Sequence, residues 1–148
     1  MRFMICRFGT IVGPSLGMRF HTAVNKFIWQ AIAQEPITVW HTAYHQKRPY
    51  LELGDCVQAI RFITDTDCFM NEIVNVVTEN LTVQNIAHEI NAHMPIKIQF
   101  TDSKIMNQLS YEVDASKFTS MGFAYRHRKG GIAEGIAETI QWLQKKYN

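Results

Sequence analysis

Cysteine is scarce in this chain. Three residues in 148, Cys6, Cys56 and Cys68, are odd in number and far apart. They make neither a disulfide framework nor a zinc site, so no metal ligands are assigned and a reducing compartment is expected. No apolar run approaches the roughly 18 residues of a membrane span. The opening Met1-Arg2-Phe3-Met4-Ile5-Cys6-Arg7 has no long apolar segment of the secretory kind. These absences predict a soluble, cytoplasmic protein with no membrane partner. Charge of one sign is also thinly spread. Fifteen Lys and Arg face 13 Asp and Glu, for a formal net charge of +2, which argues against a general nucleic-acid grip but not against a local anionic ligand. The glycine pattern of hydride-transfer sites is missing as well. No Gly-x-Gly-x-x-Gly or Gly-x-x-Gly-x-x-Gly turn is present to bring backbone amides against a pyrophosphate. Tyr44 and Lys47 are three apart and Tyr111 and Lys117 six apart, so neither pair has the Tyr-x-x-x-Lys spacing that sets an acid/base tyrosine beside a lysine that lowers its pKa. No catalytic residue is therefore assigned.

What is present reads as one domain of alternating strands and helices, hence α/β. Phe3 to Val12 is rich in Phe, Ile and Val and ends at Gly13-Pro14, as a buried strand does. A buried strand so close to the first residue creates the expectation that part of the domain lies upstream. Val24, Phe27, Ile28, Ala31 and Ile32 fall at helical spacing, and Ile37 to Trp40 is a short strand. A polar connection follows, then an extended stretch from Pro49 to Leu53. Asp55 is placed to cap a helix carrying Val57, Ala59, Ile60 and Ile63. Ile73 to Val77 reads as a second buried strand. Thr82 is placed to cap a helix carrying Val83, Ile86, Ala87 and Ile90. Ile96 to Phe100 alternates like a half-exposed strand, 114–121 reads as a short helix closed by Gly122, and 132–147 as the last helix. Phe27, Trp40 and Trp142 read as core.

Local metal or nucleophile motifs are weak. His41 and His45 are four apart but lie in a turn-like segment without an acidic third ligand, and read as surface histidines. Gly130-Gly131 precedes a helix, yet no Lys-Ser/Thr follows, so it reads as a turn.

Several stretches, in order, carry a resemblance that no one of them carries alone. Arg7-Phe8-Gly9-Thr10-Ile11-Val12-Gly13-Pro14 is similar to Arg-x-x-Asn/Thr-Val-Tyr-Gly-Pro. Thr22-Ala23-Val24-Asn25-Lys26-Phe27-Ile28 resembles an Asn-bearing helix start beside a nucleotide. Glu35-Pro36-Ile37-Thr38-Val39-Trp40, followed by Gln46-Lys47-Arg48-Pro49-Tyr50, is similar to Gly-x-Pro-Leu-x-Val and then Gln-x-Arg-Asp-Phe/Tyr. Ile73-Val74-Asn75-Val76, Asp114-Ala115-Ser116-Lys117 and Met121-Gly122-Phe123 resemble Phe-Asn-Val/Ile-Gly, Asp-x-Ser-Lys and Leu-Gly-Phe. The ordered set resembles the C-terminal portion of extended short-chain dehydrogenases/reductases, the NAD-dependent nucleotide-sugar epimerases and dehydratases. There are departures. Val12 replaces the Tyr before Gly-Pro, Thr10 stands for Asn, and His41-Thr42-Ala43-Tyr44-His45 replaces a Gly-x-Gly.

The resemblance implies a fold made of the last strands of an incomplete Rossmann-type sheet plus the small C-terminal substrate-binding α/β subdomain. The whole of 1–148 would be that portion, with the NAD-binding part absent. It implies a nucleotide diphosphate sugar as ligand and NAD as cofactor of the complete enzyme rather than of this chain. Arg48 would grip the diphosphate, Tyr50 would meet the ribose, and Asn25 would meet phosphate or base. Lys104 and Asn107, at the spacing of the family's Arg-x-x-Asp, would add a charge and a ribose contact. Thr10 would face the junction of cofactor and substrate. Plainer roles stay open: an Arg48–Glu52 ion pair, Tyr50 in the core, Asn25 as a helix cap, Lys104 as solvated surface. The partner would be a missing N-terminal NAD-binding half or further copies of the chain in a homo-oligomer. The alternative is a stand-alone, non-catalytic module for nucleotide-sugar binding or assembly.

Overall fold

Two hydrophobic cores meet at one strand, whose successive side chains enter one and then the other. The computed structural model describes residues 1–102, 109–127 and 129–147. Lys104 and Asn107 lie outside the described residues. In order, the elements are β1 (Met4–Phe8), β2 (Thr10–Val12), α1 (Ala23–Ile32), β3 (Ile37–Trp40), a 3-10 turn (His41–Ala43), β4 (Lys47–Glu52), α2 (Leu53–Asp65), β5 (Glu72–Val76), β6 (Glu79–Thr82), α3 (Val83–His93), β7 (Ile98–Thr101), α4 (Ser116–Ser120) and α5 (Gly131–Tyr147). The strands form three small sheets, β1-β5, β2-β4-β6 and β3-β7. All pairs are parallel except β4-β6.

In β4, Tyr50 enters one core and Leu51 the other, as the two-residue period of a strand requires. The first core gathers Val12, Val24, Ile28, Ile37, Ile86 and Ile136, among others, beneath α1, α3 and α5, which pack pairwise. The second gathers Leu51, Cys56, Ile63, Val74, Val76, Phe118 and Phe123 between α2, α4 and the β1-β5 sheet.

The segment from Phe3 to Val12 is not one buried strand. It breaks at Gly9, where the chain leaves β5 for β4. A side chain on Gly9 would stand 3.0 Å from the backbone of Pro49 and Tyr50, so only glycine lets the backbones cross this closely. Gly13, at φ 151°, ends β2. Nor is the segment buried throughout. Cys6 and Val74, neighbours in register, turn to the second core, whereas Ile5 and Ile73, the next pair, are 47% and 41% exposed. One face of the sheet is covered and the other is not.

Asp55 does not cap α2. The cap is Glu52, whose carboxylate accepts from Gly54 N and Asp55 N. Asp55 lies in the first turn, buried, accepting from Thr78 Oγ1 at 2.7 Å and Arg126 N at 2.8 Å. Thr82 does cap α3, in a reciprocal box with Asn85. Strand β6 has no counterpart in the sequence reading. Its residues Glu79-Asn80-Leu81-Thr82 are all half-buried and carry no clear alternation. Trp40 is exposed rather than core, because Ile37 and Val39 take the inward positions of β3. Phe27 is buried, and Trp142 packs against the first core.

Candidate functional site

Parallel strands β1 and β5 end side by side at Phe8 and Val76. In open α/β sheets, ligands collect in the crevice beyond such carboxyl ends. A cleft of about 370 Å³ lies there, lined by Arg7, Phe8, Gly9, Asn75, Tyr111 and Asp114, among others. A second, of about 440 Å³, shares Val77, Glu112, Val113 and Asp114 with it and extends to Asn80, Ser116 and Tyr125. Both are bordered by a stretch without regular structure that crosses from β4 towards β5, here termed the strap, 109–113.

The strap is held by backbone and side-chain groups at the start of β4 and by side chains of β5 and β6. Lys47 N donates to Ser110 Oγ at 2.9 Å, and Tyr111 N donates to Lys47 O at 3.3 Å. Lys47 Nζ pairs with Glu112. Asn80 and Val113 exchange two bonds of 3.0 Å, and Asn75 Nδ2 donates to Asp114 O at 2.9 Å. The Asp114 carboxyl accepts from both the amide and the hydroxyl of Ser116, and these bonds hold it below the ordinary aspartate range.

Arg48 belongs to this assembly. Its Nη1 donates to Lys47 O at 2.7 Å and Leu109 O at 2.8 Å, and its Nη2 donates to Gln46 Oε1 at 2.8 Å. The guanidinium carbon lies 5.2 Å from the centre of the Tyr111 ring, within cation–π range. Glu52 is not its partner. That carboxylate caps α2 and faces Arg126.

Tyr50, two residues on in β4, is buried where Arg48 is only half-buried. It is 3% exposed in the first core. Burial pushes its phenol up, against the lowering influence of Arg48. Its plainer role, core, is the one this burial favours. Thr10 is the register partner of Tyr50 and is itself exposed. Asn25 is buried near the start of α1, 6% exposed, but does not cap it, since the N-cap is Thr22. Asn25 Nδ2 donates to Arg19 O at 3.1 Å, while its Oδ1 meets no donor. Among the described residues, no hydrogen bond joins Asn25 to Arg48, Tyr50 or Thr10. The structure thus places Arg48, Tyr50 and Thr10 on adjoining strands and puts Asn25 on a separate element.

Sequence reasoning passed over Tyr111, Asn75 and Asn80. Asn75 lay inside a quoted motif but was read as strand. Tyr111 lies in a stretch with no periodicity, so nothing local marked it. Among the described residues, no group of three His, Cys, Asp or Glu is arranged to hold a metal ion. No helix is long and apolar enough to cross a membrane. The sequence has no glycine-rich dinucleotide turn; it has one Tyr-x-x-x-Lys spacing, Tyr125 to Lys129, and the Tyr125 hydroxyl accepts from Val77 N at 3.1 Å.

The class of fold is thus an α/β assembly of short parallel sheets with a crevice at the strand ends. No protein-family model matches the chain, and no curated protein matches its sequence. Solved structures do match. A UDP-N-acetylglucosamine 4-epimerase from Methanobrevibacter ruminantium M1, in complex with UDP-N-acetylmuramic acid, superposes with a TM-score of 0.83 at 16% identity, over 99% of this chain and 47% of its own. UDP-glucuronic acid 4-epimerase from Bacillus cereus, in complex with UDP-glucuronic acid and NAD, gives 0.82 at 18%, over 97% and 46%. dTDP-glucose 4,6-dehydratase from Bacillus anthracis, in complex with NAD, gives 0.81 at 15%, over 97% and 45%. The chain therefore has the fold of a portion of NAD-dependent nucleotide-sugar epimerases and dehydratases, and it spans about half the length of these structures. This agrees with the resemblance to their C-terminal portion carried by the sequence motifs.

Proposed function

We propose that the chain is the nucleotide-sugar-binding, C-terminal portion of an NAD-dependent epimerase or dehydratase, and that it is catalytically incomplete by itself. The observation that carries this reading is the superposition of nearly the whole chain on half of such enzymes. Two features of the site support it. Arg48 offers a planar, permanently charged fork at the base of the strap, suited to a diphosphate. Among the described residues Asn25 Oδ1 is a buried acceptor without a donor, and such a group costs on the order of 1–3 kcal/mol until something satisfies it. A ligand N–H or O–H is one such donor. In this reading NAD, its glycine turn and the Tyr/Lys pair come from another polypeptide segment. Lys104 and Asn107 remain part of the proposal as diphosphate and ribose contacts, and Thr10 as the residue at the cofactor–substrate junction.

The uncovered face of the β1-β5 sheet fits the same reading. Parallel strands are normally buried on both faces, yet Phe3, Ile5 and Ile73 are exposed together. An NAD-binding half would cover them. In the isolated chain, a second copy takes that place.

Calorimetry with a UDP-sugar tests the binding role. Arg48→Ala is expected to weaken binding roughly 10- to 150-fold, with Arg48→Lys restoring it in part. Equal affinity of wild type and Arg48→Ala would remove Arg48 from the site. The purified chain is expected to show no NAD-dependent conversion of UDP-, dTDP- or GDP-sugars, because a positioned nicotinamide and acid/base each contribute orders of magnitude in rate. Turnover by the chain alone would contradict its incompleteness.

A further inference from the structure

The residue best suited to grip a diphosphate is already gripping the protein. Among the described residues Arg48 binds two backbone carbonyls, a side-chain amide oxygen and a ring, and of these Leu109 O and the Tyr111 ring belong to the strap. We propose that Arg48 is a ligand-operated latch. With no anion bound it holds the start of the strap against β4; a nucleoside diphosphate takes the guanidinium and releases Leu109 and Tyr111. This inference rests on the reading of Arg48 as the diphosphate ligand.

The strap is held unequally along its length. At its far end Val113 is fixed by the two bonds to Asn80, and Asp114 by Asn75. At its near end Leu109 is 82% exposed and Tyr111 51% exposed, so little apolar burial resists their release. Lys47 also holds the strap, at Ser110, Tyr111 and Glu112, so what the guanidinium itself secures is Leu109 and the Tyr111 ring, while Val113 stays fixed. The exchange also has a direction. Leu109 O, Lys47 O and Gln46 Oε1 are neutral acceptors, and a phosphate oxygen is charged. The internal bonds of Arg48 already have a charged donor; a phosphate adds the opposite charge and can accept from both arms of the guanidinium fork at once. The internal partners still compete. An anion meets an Arg48 that is only fractionally available, and its apparent affinity falls by that fraction. Weakening an internal partner should then tighten binding, the opposite of what loss of a ligand contact does.

The test combines amide hydrogen exchange with calorimetry, using UDP as the probe. In the ligand-free chain, Arg48→Ala is expected to speed exchange at the Tyr111 amide severalfold while Val113 stays protected. Saturating UDP is expected to do the same to wild type. Gln46→Ala, which removes the Nη2 acceptor while keeping the guanidinium, is expected to bind UDP roughly tenfold more tightly. It also serves as the second variant if Arg48→Ala fails to fold. If UDP binds in an Arg48-dependent way while Tyr111 exchange is unchanged and Gln46→Ala binds no tighter, the latch is wrong and the proposed function stands. If Arg48→Ala folds but leaves Tyr111 exchange as in wild type, the latch is wrong whatever the ligand does. If wild type binds no UDP, the proposed function fails and the latch with it, leaving Arg48 a structural clamp.

Discussion

The two cores flanking β4 are built differently. Beneath α1, α3 and α5, the inward side chains of β2, β3 and β4 are closed over, and Val12, Ile28, Ile37, Ile86, Ile90, Ile132 and Ile136 are wholly or almost wholly buried. Around β1 and β5 the covering is on one side only. Val74, Val76 and Phe118 are buried against α2 and α4, while Ile5 and Ile73 on the reverse of the same strands are open. Burial therefore follows the presence of a covering layer rather than the hydrophobicity of the strand. A parallel pair as apolar as this needs two layers, and the described residues supply one. The first core is complete as folded. The second is covered on one face among the described residues, and the candidate ligand cleft opens at its edge.

The largest expected effect separates a one-sided core from a loose one. Phe118 stacks on Phe123 with ring centres 4.6 Å apart and meets Phe62 edge-on. Phe118→Ala should cost about 3–5 kcal/mol and Ile136→Ala, in the closed core, about 2–5 kcal/mol, as cavity-forming changes do. Denaturant unfolding that gave less than about 1 kcal/mol for Phe118→Ala would mean the second core is not packed at all.

Glu52 and Asp55 join the two regions through the start of α2, Thr78 and Arg126. Glu52→Ala removes the cap and is expected to cost about 1–2 kcal/mol. Glu52→Gln keeps an acceptor and should retain part of it. Equal unfolding midpoints for the two variants would deny Glu52 its capping role.

The open face makes a smaller change in stability but a visible one in assembly. The isolated chain is expected to be a dimer or larger by light scattering. The double variant Ile5→Lys/Ile73→Lys should shift it towards the 17.1 kDa monomer, with stability changed by no more than about 0.5 kcal/mol per site, as at other exposed positions. Wild type that remains a 17.1 kDa monomer at high concentration would show that the open face does not recruit a second copy.

The smallest effect is at the far edge of the same sheet. The Lys117 hydrogen bond, at 2.6 Å, holds the Glu72 carboxyl below its ordinary value of 4.5. A lowered folded value means that the ionised pair stabilises above the ordinary value and that this contribution is lost as the pH falls through the lowered one. Both groups are exposed, so the effect is slight. Urea midpoints of wild type and Lys117→Ala should differ near neutral pH and converge in the acid range below 4.5. A constant difference down to that range would place the effect of Lys117 elsewhere.

Much of the fold was legible because it rests on short-range patterns. The helical spacing of Val24, Phe27, Ile28 and Ala31 corresponds to α1, Thr82 caps α3, and 37–40 is a strand. The order of motifs pointed to the nucleotide-sugar enzymes, and the fold agrees. At the site, Arg48 was recognised as a cation at the right spacing, but its present partners were not. Leu109 and Tyr111 are distant in sequence and lie where no periodicity speaks.

The sequence by itself determined which segments curl or extend, where most of them stop, and which family of enzymes they resemble. Those properties depend on side-chain periodicity, caps and motif residues a few positions apart. Only the tertiary structure decided that Phe3 to Val12 divides at Gly9 between two sheets, that Glu52 rather than Asp55 caps α2, and that Ile5 lies open while Val74 is buried. It also decided that Arg48 closes on the strap. Each of those outcomes depends on which distant backbone or layer arrives at a residue, and a run of Phe, Ile and Val has the same composition whether or not a second layer covers it.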